Sequence, residues 1–347
     1  MRKKINKILG KAEIVLGRKK LLALPRYVQL EPTSRCNQEC IMCPRNEADY
    51  DSDFGDMSYE NYLRVLDEIP TIENMQINGL GEPLLHPRIF DMIKEAKRRG
   101  ITLSMNSNVI WVDTPKKAQK LVESGLDILK VSMDTTDSKV YDEIRQSDTY
   151  DKAVAAVKLI VQARGCKHEP QIWFNSVILQ QNYKDIGNIL KLGSELGVDL
   201  VRFKPVDTFD IYKDKGIKVA SQEDLFYEMK KVLSEFRDVK VKHNLGDLIN
   251  NFSNYSRPEG DYPCFSPWLE VYIQYYGGVR LCCEFYSKKY DVGNIFRENF
   301  KDIWNGEKMQ KIRHDFWKGK LGFPVCATCN RFGRNMEIYK KVKKFKF

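Results

Sequence analysis

Strand-like and helix-like segments alternate along residues 27–206 of this 347-residue chain. Amphipathic stretches with helical spacing lie between the strand-like segments, for example at 58–69, 88–100 and 150–165. Strands that alternate with helices predict βα units and a parallel sheet. Six units are too few for a closed eight-stranded barrel, so we expect a partial (β/α)6 barrel with its chemistry at the C-terminal strand ends. The six predicted strands are 27–33, 74–79, 102–107, 128–134, 171–179 and 199–206.

The pattern changes after residue 206. Residues 207–262 are predicted as a connector with a helix at 221–236 and a polar, Asn-rich stretch at 244–256. From residue 263 the stretch WLEVYIQYYGGVRLCC indicates two strands around a Gly-Gly turn, followed by a helix-like stretch at 300–319. The predicted fold class is therefore α/β, a TIM-like partial barrel followed by a small C-terminal α+β domain. The predicted segments are a basic N-terminal segment (1–26), the barrel (27–206), the connector (207–262), the small domain (263–333) and a basic tail (334–347).

The positive charge is concentrated at the two ends of the chain. The net charge is +10, yet residues 1–20 carry eight Lys or Arg against one Glu, and residues 337–347 carry five Lys against one Glu. A nucleic-acid enzyme usually has a basic stripe through its body, so a nucleic-acid substrate is disfavoured. No apolar run approaches the ~20 residues of a membrane span, and charges interrupt every apolar run near the N-terminus. We expect a cytoplasmic protein, in which clustered cysteines bind metal rather than form disulfides.

The segment SRCNQECIMCPR holds three cysteines, Cys36, Cys40 and Cys43, in a C-x3-C-x2-C pattern directly after the first predicted strand. Four thiolates would complete a tetrahedral zinc site or an ordinary iron–sulfur cluster, and this segment offers three. The alternatives are three unrelated thiols or a zinc site with a distant fourth ligand. Their position at the catalytic face of the predicted barrel favours a metal site with one open position.

This stretch resembles the cluster loop of the radical S-adenosylmethionine (SAM) superfamily. The resemblance implies a [4Fe–4S] cluster on Cys36, Cys40 and Cys43, whose fourth iron chelates the amino and carboxylate groups of SAM. An open coordination site would let one electron reach the sulfonium, giving methionine and a 5′-deoxyadenosyl radical. One departure is Met42, because the residue before the third cysteine is often aromatic in the family.

The segment NGLGEPLLHP, which follows the second strand, resembles the family's Gly-Gly-Glu-Pro element. Gly81, Glu82 and Pro83 match it, and Leu80 replaces the first glycine. The glycines would allow close backbone approach, and an acceptor carboxylate or carbonyl could hold the SAM ammonium group. Polar residues at later strand ends also resemble SAM contacts, although short polar strand ends are commonly plain turns. These predicted cofactor contacts are Asn106, Ser132, Asp134 and Asn175.

A second set of four cysteines lies in the small domain: Cys264, Cys282, Cys326 and Cys329. The set could ligate a complete auxiliary cluster, and a structural zinc is the alternative. The spacing C-x12-G-x4-C, counted through Gly277, resembles the SPASM/twitch extension of the superfamily. No cysteine follows Cys329, so the resemblance implies one auxiliary [4Fe–4S] cluster. Adjacent strand residues point to opposite faces, so Cys282 and Cys283 are not expected to bind the same cluster together. The resemblance in spacing through Gly277 selects Cys282.

Three charged residues are candidates for catalysis. Arg202 and Lys204 alternate on one face of the sixth strand, and if that face is the barrel interior they could bind substrate or remove a proton. An ion pair with a neighbouring acid is the alternative. Glu284, just after the auxiliary cysteines, is also a candidate for substrate binding or proton removal, with an ion pair as the alternative.

The N-terminal residues form a candidate basic amphipathic helix. Ile5, Ile8, Leu9, Ala12, Val15 and Leu16 fall at helical spacing among Lys and Arg residues. Such a helix could lie on an anionic membrane, and a helix packed against the barrel is the alternative.

Together these features predict a radical SAM oxidoreductase that takes hydrogen from a substrate C–H bond. A fully cysteine-ligated auxiliary cluster suits electron acceptance, which favours two-electron oxidation of a carbohydrate- or cyclitol-like substrate. A reducing donor such as flavodoxin or ferredoxin is expected. The alternatives are peptide maturation, modification of a lipid-linked substrate and a non-catalytic iron–sulfur electron carrier. About 26 residues precede the first strand, too few for a leader-binding domain, and a carrier would not need the GEP element.

Overall fold

The structure is a computed structural model that describes residues 2–46, 54–206, 217, 220–250, 262–327, 329 and 332–344. Within these residues one mixed sheet runs through the molecule, with helices packed on its outer face. The helices are α1 (Arg2–Val15), α2 (Tyr59–Glu68), α3 (Ile89–Arg98), α4 (Pro115–Val122), α5 (Ser138–Arg145), α6 (Tyr150–Arg164), α7 (Ile186–Leu196), α8 (Gln222–Glu235), α9 (Leu245–Asn250), α10 (Ser266–Leu269), α11 (Phe300–Asn305), α12 (Glu307–Trp317), α13 (Pro324–Ala327) and α14 (Phe332–Lys343).

Ten strands of the described residues form the sheet in the order β10-β9-β8-β1-β2-β3-β4-β5-β6-β7. Strands β1 to β7 are all parallel to their neighbours, which confirms the predicted parallel sheet of a partial barrel. All six predicted strands are present. The strands are β1 (Tyr27–Leu30), β2 (Asn74–Ile77), β3 (Thr102–Ser107), β4 (Ile128–Ser132), β5 (Gln171–Ile178), β6 (Leu200–Pro205), β7 (Lys242–His243), β8 (Glu270–Ile273), β9 (Gly278–Arg280) and β10 (Gly293–Asn294).

The two faces of the barrel strands differ in polarity. On β5, Ile172 and Phe174 are fully buried beneath the outer helices, while Trp173 and Asn175 point to the other side and are only partly buried. Strands in parallel sheets are usually apolar on both faces, since both faces are covered. Here alternation leaves a polar inner face, which is the surface available to a polar ligand.

The predicted C-terminal hairpin is present as β8 and β9, joined at Gly277 with φ +90°. Strand β8 also pairs in parallel with β1, in the register Tyr27 to Glu270. The hairpin therefore extends the barrel sheet and places its residues beside the first strand. This pairing joins residues about 240 positions apart and leaves no local signal in the sequence.

The other predicted helices are present with small changes. The helix predicted at 221–236 is α8, and the stretch at 300–319 forms α11 and α12, with a break at Gly306. The Asn-rich stretch contains α9, and its residues 251–256 lie outside the described residues, as do 207–216 of the connector. In the described part of the chain, no helix is both long and apolar enough to cross a bilayer.

Candidate functional site

The loop that carries Cys36, Cys40 and Cys43 follows β1 and is fixed to the turn after α5. The Ile41 amide donates a hydrogen bond to the Ile144 carbonyl at 2.9 Å. Gln38 Nε2 donates to the hydroxyl oxygens of Ser147 and Thr149 at 3.2 and 3.0 Å. A loop held by these contacts presents its thiols from a defined backbone position.

Burial of this loop changes the acidity of two thiols. Desolvation raises the pKa of Cys36 to about 11 and that of Cys43 to about 12. Both thiols are therefore protonated at neutral pH when no metal is bound. Iron binds the thiolate, so cluster assembly has to displace these protons, and binding of the cluster becomes pH-dependent.

Arg145, the last residue of α5, supplies a buried positive charge beside this loop. Its Nη1 donates to Cys40 Sγ at 3.6 Å, and its Nη2 donates to the Asp134 carboxylate in a buried ion pair. Burial is the largest single influence on the Arg145 pKa and acts to lower it, but Asp134 and the other neighbouring groups together raise the pKa by more, so the guanidinium stays charged. Among the described residues no acceptor reaches its buried Nε. A buried guanidinium with one open donor fits an anionic group placed next to the thiol loop.

Asp134 is fully buried, and both oxygens of its carboxylate accept hydrogen bonds from protein groups. Besides the Arg145 pair, its Oδ1 accepts a hydrogen bond from the Val177 amide at 2.8 Å. The buried ion pair indicates that Asp134 orients the Arg145 side chain. Its predicted contact with SAM stays a prediction.

The GLGEP turn after β2 packs directly on the backbone of the thiol loop. A Cβ at Gly81 would lie 2.2 Å from the Thr33 carbonyl oxygen and 2.8 Å from that of Arg35. The Glu82 amide donates to the same Arg35 carbonyl at 2.8 Å. Glycine is therefore required at position 81 by close backbone approach. Pro83 is buried and begins the short 3-10 turn that follows.

The Glu82 carboxylate ties this turn to the end of β3. Its Oε1 accepts hydrogen bonds from the Ser107 hydroxyl at 2.7 Å and the Leu84 amide at 3.0 Å, and its Oε2 accepts from the Asn108 amide at 2.8 Å. Burial raises the Glu82 pKa, and these bonds partly offset that effect. The carboxylate thus organises the two loops. Whether it also contacts SAM stays a prediction.

The end of β3 is strained as well as buried. Val109 has φ +56°, a conformation that β-branched residues rarely adopt, and it is fully buried. Its amide bonds to Ser107 Oγ at 2.9 Å, and Asn108 Nδ2 donates to Asn37 Oδ1 of the thiol loop at 2.7 Å. Strained backbone held by its surroundings is common at ligand sites. In the described structure, Asn106 Oδ1 is buried without a donor, so a ligand donor would satisfy it.

The remaining predicted residues lie on the inner face of the barrel. Ser132, Asn175 and Arg202 are in register on β4, β5 and β6, and Lys204 follows two residues later on the same face. Arg202 is exposed, whereas Lys204 is partly buried. These side chains form the rim of the open barrel.

Aromatic packing organises the auxiliary cysteines. Phe323 contacts Phe285 and Phe316 with ring centroids 5.0 and 6.0 Å apart. This packing places the segment of Cys326 and Cys329 next to the strand end that carries Cys282. None of the nine cysteines forms a disulfide bond within the described residues. Within the described part of the chain, no three Cys, His, Asp or Glu side chains converge as the ligands of a single ion would. Both sets of cysteine ligands are therefore assigned from their spacing and position along the chain.

A cavity of about 180 Å³ lies at the N-terminal ends of strands β1 to β4 and β8, beside the auxiliary cysteines. Gln29, Gln76 and Ser104 line it from β1, β2 and β3, and Tyr272 lines it from β8. Cys282 and Cys283 line the same cavity. Because β8 pairs with β1, a molecule in this cavity would lie between the barrel strands and the auxiliary site.

Two further groups have no motif in the sequence: Lys130, which contacts residues of the cavity wall, and Tyr272, which is part of that wall. Lys130, on the inner face of β4, donates to Gln76 Oε1 and Ser104 Oγ, each at 3.2 Å. The Tyr272 hydroxyl donates to the buried Glu31 carboxylate at 2.8 Å, and the Leu80 amide donates to the same oxygen at 2.7 Å. Desolvation raises the pKa of Glu31. Glu284 is also buried, and Cys283 Sγ donates to its Oε1 at 3.4 Å.

Comparison with known families identifies the domains that carry these candidate sites. The model of the radical SAM superfamily matches residues 30–193, and the model of the SPASM iron–sulfur cluster-binding domain matches residues 264–330. This chain therefore carries a radical SAM domain followed by a SPASM iron–sulfur domain. The first match contains the thiol loop, the GLGEP turn and Arg145, and the second contains all four auxiliary cysteines.

Curated relatives and solved structures extend this result. The chain is 28% identical over 325 residues to the tungsten-containing aldehyde ferredoxin oxidoreductase cofactor-modifying protein of Pyrococcus furiosus, covering 88% of this chain and 87% of that protein. It is 23% identical to the AdoMet-dependent heme synthase of Methanosarcina barkeri, covering 88% and 91%. Streptococcus suis SuiB, solved with its precursor peptide SuiA, has the same fold with a TM-score of 0.69 at 16% identity, covering 92% of this chain and 73% of SuiB.

The cofactors of this radical SAM protein are a SAM-binding [4Fe–4S] cluster, SAM and an auxiliary cluster. The residues present fit them. The thiol loop offers three ligands beside a buried guanidinium with an open donor, and Asn106 offers an open acceptor. Arg145 was missed from the sequence because an arginine at a helix end usually interacts with the helix dipole or solvent. Only its pairing with Asp134, eleven residues earlier, signals its role.

Proposed function

We propose that this enzyme oxidises a small, hydroxyl-rich substrate by two electrons, with a carbohydrate- or cyclitol-like molecule as the substrate class. When bound, SAM and its cluster supply a 5′-deoxyadenosyl radical that takes a hydrogen atom from a substrate C–H bond. The observation that carries the proposal is the shared cavity. Residues of the barrel interior and Cys282 of the auxiliary site line the same space.

The lining of the cavity supports a polar substrate. Gln29, Gln76 and Ser104 are neutral hydrogen-bonding side chains on adjacent strands. Asn74 and Thr102 lie two residues earlier on the same faces of β2 and β3. Amide and hydroxyl groups both donate and accept, as hydroxyl groups on a substrate require. The cavity is smaller than the ~300–1,000 Å³ of drug-sized pockets. A compact polyol fits this lining better than an apolar chain does.

Oxidation of an alcohol to a ketone has a defined balance. One hydrogen atom leaves the carbon and forms 5′-deoxyadenosine. The hydroxyl proton and one electron then leave the carbon radical, and the electron leaves toward the Cys282 side of the cavity, where the auxiliary cluster would be held. For the proton, the proposal keeps Lys204 and Glu284 as acceptors and Arg202 as a substrate-binding residue. Tyr272 and Glu31 add a buried path, since the tyrosine lines the cavity and donates to the carboxylate.

Peptide modification is the second candidate. It is supported by the fold shared with SuiB, whose structure contains a precursor peptide. The exposed Arg202 on the open rim would be accessible to a longer substrate. The two candidates differ in whether the substrate must enter the small cavity.

The proposal includes the cell compartment and the electron source. Reduced thiols are needed for both cluster sites, which favours the cytoplasm. Cleavage of SAM needs a low-potential donor, and flavodoxin or ferredoxin is the proposed class. Nucleic acid is not proposed as a substrate, because the net positive charge is concentrated at the two ends of the chain.

The test uses candidate substrates that carry deuterium on their hydroxyl-bearing carbons. With reconstituted enzyme, dithionite and SAM, a true substrate transfers deuterium into 5′-deoxyadenosine and yields a ketone. Cys282→Ala should keep deuterium transfer and lose the ketone, while Cys283→Ala should keep both. A panel of polyols and aminocyclitols with no transfer, together with transfer from a peptide, would replace the first candidate by the second.

A further inference from the structure

Helix α1 turns polar side chains toward the body of the protein. Asn6 is buried and exchanges hydrogen bonds with the Leu24 backbone, donating to its carbonyl and accepting from its amide, both at 2.9 Å. Glu13 is buried and accepts from the amides of Leu22 and Ala23 at 2.6 and 3.2 Å. These contacts hold the segment after the helix. The helix is therefore anchored mainly through polar groups, with Ile14 as its buried apolar side chain.

The outward side of the same segment is apolar. The side chains of Ile5, Ile8, Leu16 and Leu22 are 50%, 68%, 68% and 73% exposed. Six large hydrophobic residues of the described chain are exposed to this degree, and four of them lie here. A surface helix normally buries its apolar side and exposes its polar side. This helix does the reverse, so its apolar side is available to a partner.

Cations surround these apolar side chains. The exposed ones in residues 3–22 are Lys4, Lys7, Lys11, Arg18, Lys19 and Lys20. The only acidic residue in this range is Glu13, and it is buried. The outward surface is thus both apolar and uniformly positive. We call the four apolar residues and six cations the N-terminal patch.

We infer that the N-terminal patch docks this enzyme onto an anionic lipid membrane. A basic helix whose apolar side chains are exposed lies in the membrane interface, with its apolar side chains in the acyl boundary and its cations among the headgroups. Nucleic acid would be bound by the cations alone, and four exposed Ile and Leu side chains would gain nothing from phosphates. An acidic headgroup above an acyl layer satisfies both kinds of side chain. The inference goes beyond the radical chemistry and does not depend on it.

The buried contacts of Asn6 and Glu13 limit which variants can test the N-terminal patch. Removing residues 1–20 would delete Asn6 and Glu13 and release the segment that also bonds to α11, where Leu21 and Asn305 exchange hydrogen bonds at 2.8 and 2.9 Å. Substitution of exposed side chains avoids this damage, since such changes usually alter stability little. One variant carries Lys4→Gln, Lys7→Gln and Lys11→Gln. The other carries Ile5→Ser, Ile8→Ser and Leu16→Ser.

The experiment is co-sedimentation of the full-length holoenzyme with vesicles of equal parts phosphatidylglycerol and phosphatidylcholine. Wild-type protein should pellet at low salt, be released at high salt and ignore pure phosphatidylcholine vesicles. Each cation near an anionic surface contributes about fivefold, so the Lys variant should bind on the order of 100-fold more weakly. The Ser variant should bind at least ~10-fold more weakly, because it loses the apolar insertion.

Matched controls separate this surface from general charge and exposure. Lys94→Gln, Lys116→Gln and Lys152→Gln remove three exposed lysines from α3, α4 and α6, and Tyr227→Ser removes an apolar side chain that is 71% exposed. Both controls should pellet like wild type, and all variants should cleave SAM in solution at the wild-type rate. Wild-type protein that fails to pellet would overturn the inference. Unchanged binding by the Ser variant, with equal binding to duplex DNA, would show polyanion binding instead. Self-association that the Ser variant abolishes would assign the patch to a second copy of the chain.

Discussion

The two cysteine regions of this enzyme are built by different means. The thiol loop of Cys36, Cys40 and Cys43 is fixed by buried charged groups, among them Arg145 and Glu82. The auxiliary region is fixed by aromatic rings around Phe323, with its cysteines at the ends of short elements. Buried charges with open donors suit a site that binds a charged, exchangeable molecule such as SAM. Four thiolates packed near aromatic rings suit a permanent group that only exchanges electrons.

The largest expected effect separates the two regions by iron content. Anaerobically reconstituted wild type should hold about eight irons, since each [4Fe–4S] cluster contributes about four. The variant with Cys36→Ala, Cys40→Ala and Cys43→Ala should hold about four, and so should one with Cys326→Ala and Cys329→Ala. Iron analysis with Mössbauer spectroscopy measures both. Unchanged iron in either variant would refute the corresponding ligand set.

Arg145→Gln tests whether the thiol loop depends on buried charge. It leaves Asp134 buried without its cation, which costs about 3–5 kcal/mol in the free energy of unfolding. We also expect SAM affinity to fall about 10–100-fold, a range seen when a group that orients a metal site is removed. Equilibrium dialysis with labelled SAM and denaturant unfolding measure the two effects.

The double variant Arg145→Gln with Asp134→Asn sharpens this test. Removing both charges should restore much of the stability but none of the SAM affinity. Recovery of SAM binding in the double variant would show that Arg145 acts only on the fold. Iron content should stay near wild type in both variants, because the thiols are unchanged.

Gly81→Ala tests the close approach of the GLGEP turn. The new methyl group would meet backbone oxygen atoms, which cannot rotate away. We expect a loss of about 1–3 kcal/mol in the free energy of unfolding, as overpacking usually costs. Gly246→Ala in α9 is the matched control, because nothing lies within 4 Å of its added Cβ. Equal stability of the two variants would contradict the predicted contact.

The smallest expected effect concerns pH. Burial raises the pKa of Glu31 above the ordinary value of 4.5 in the folded state. Its contribution to stability is therefore complete below pH ~4.5 and is lost as pH rises through the folded pKa. Glu31→Gln should flatten the decline of melting temperature in this rising range. Glu60→Gln, an exposed carboxylate whose pKa is lowered, should not flatten it. Parallel curves for wild type and Glu31→Gln would refute the raised pKa.

The sequence predicted the parts of the fold that have local patterns. Alternation of strand-like with helix-like segments located β1 to β6, and the Gly-Gly turn located the β8–β9 hairpin. The short strand β7 has two residues and no detectable pattern. Pairing of β8 with β1 depends on packing between distant segments, which no local pattern encodes.

The candidate site divides in the same way. Cysteine spacing and the GEP letters are local, and they predicted both cluster regions. The residues that contact these cysteines and the GEP turn lie far away in the sequence. Glu82 binds Ser107 and Asn108 on the next strand, and Arg145 reaches Cys40 across more than a hundred residues. Lys130 and Tyr272 show their importance only in the folded sheet, where Lys130 contacts Gln76 and Ser104 of the cavity wall and Tyr272 lines the cavity.

The central claim is that this chain uses SAM as a radical source. The most direct measurement is formation of 5′-deoxyadenosine by anaerobically reconstituted enzyme with dithionite and SAM, even without substrate. The account predicts 5′-deoxyadenosine and methionine in equal amounts from wild type, and none from the variant with Cys36→Ala, Cys40→Ala and Cys43→Ala. A wild type with full iron content that neither binds nor cleaves SAM would contradict the claim and support an electron carrier.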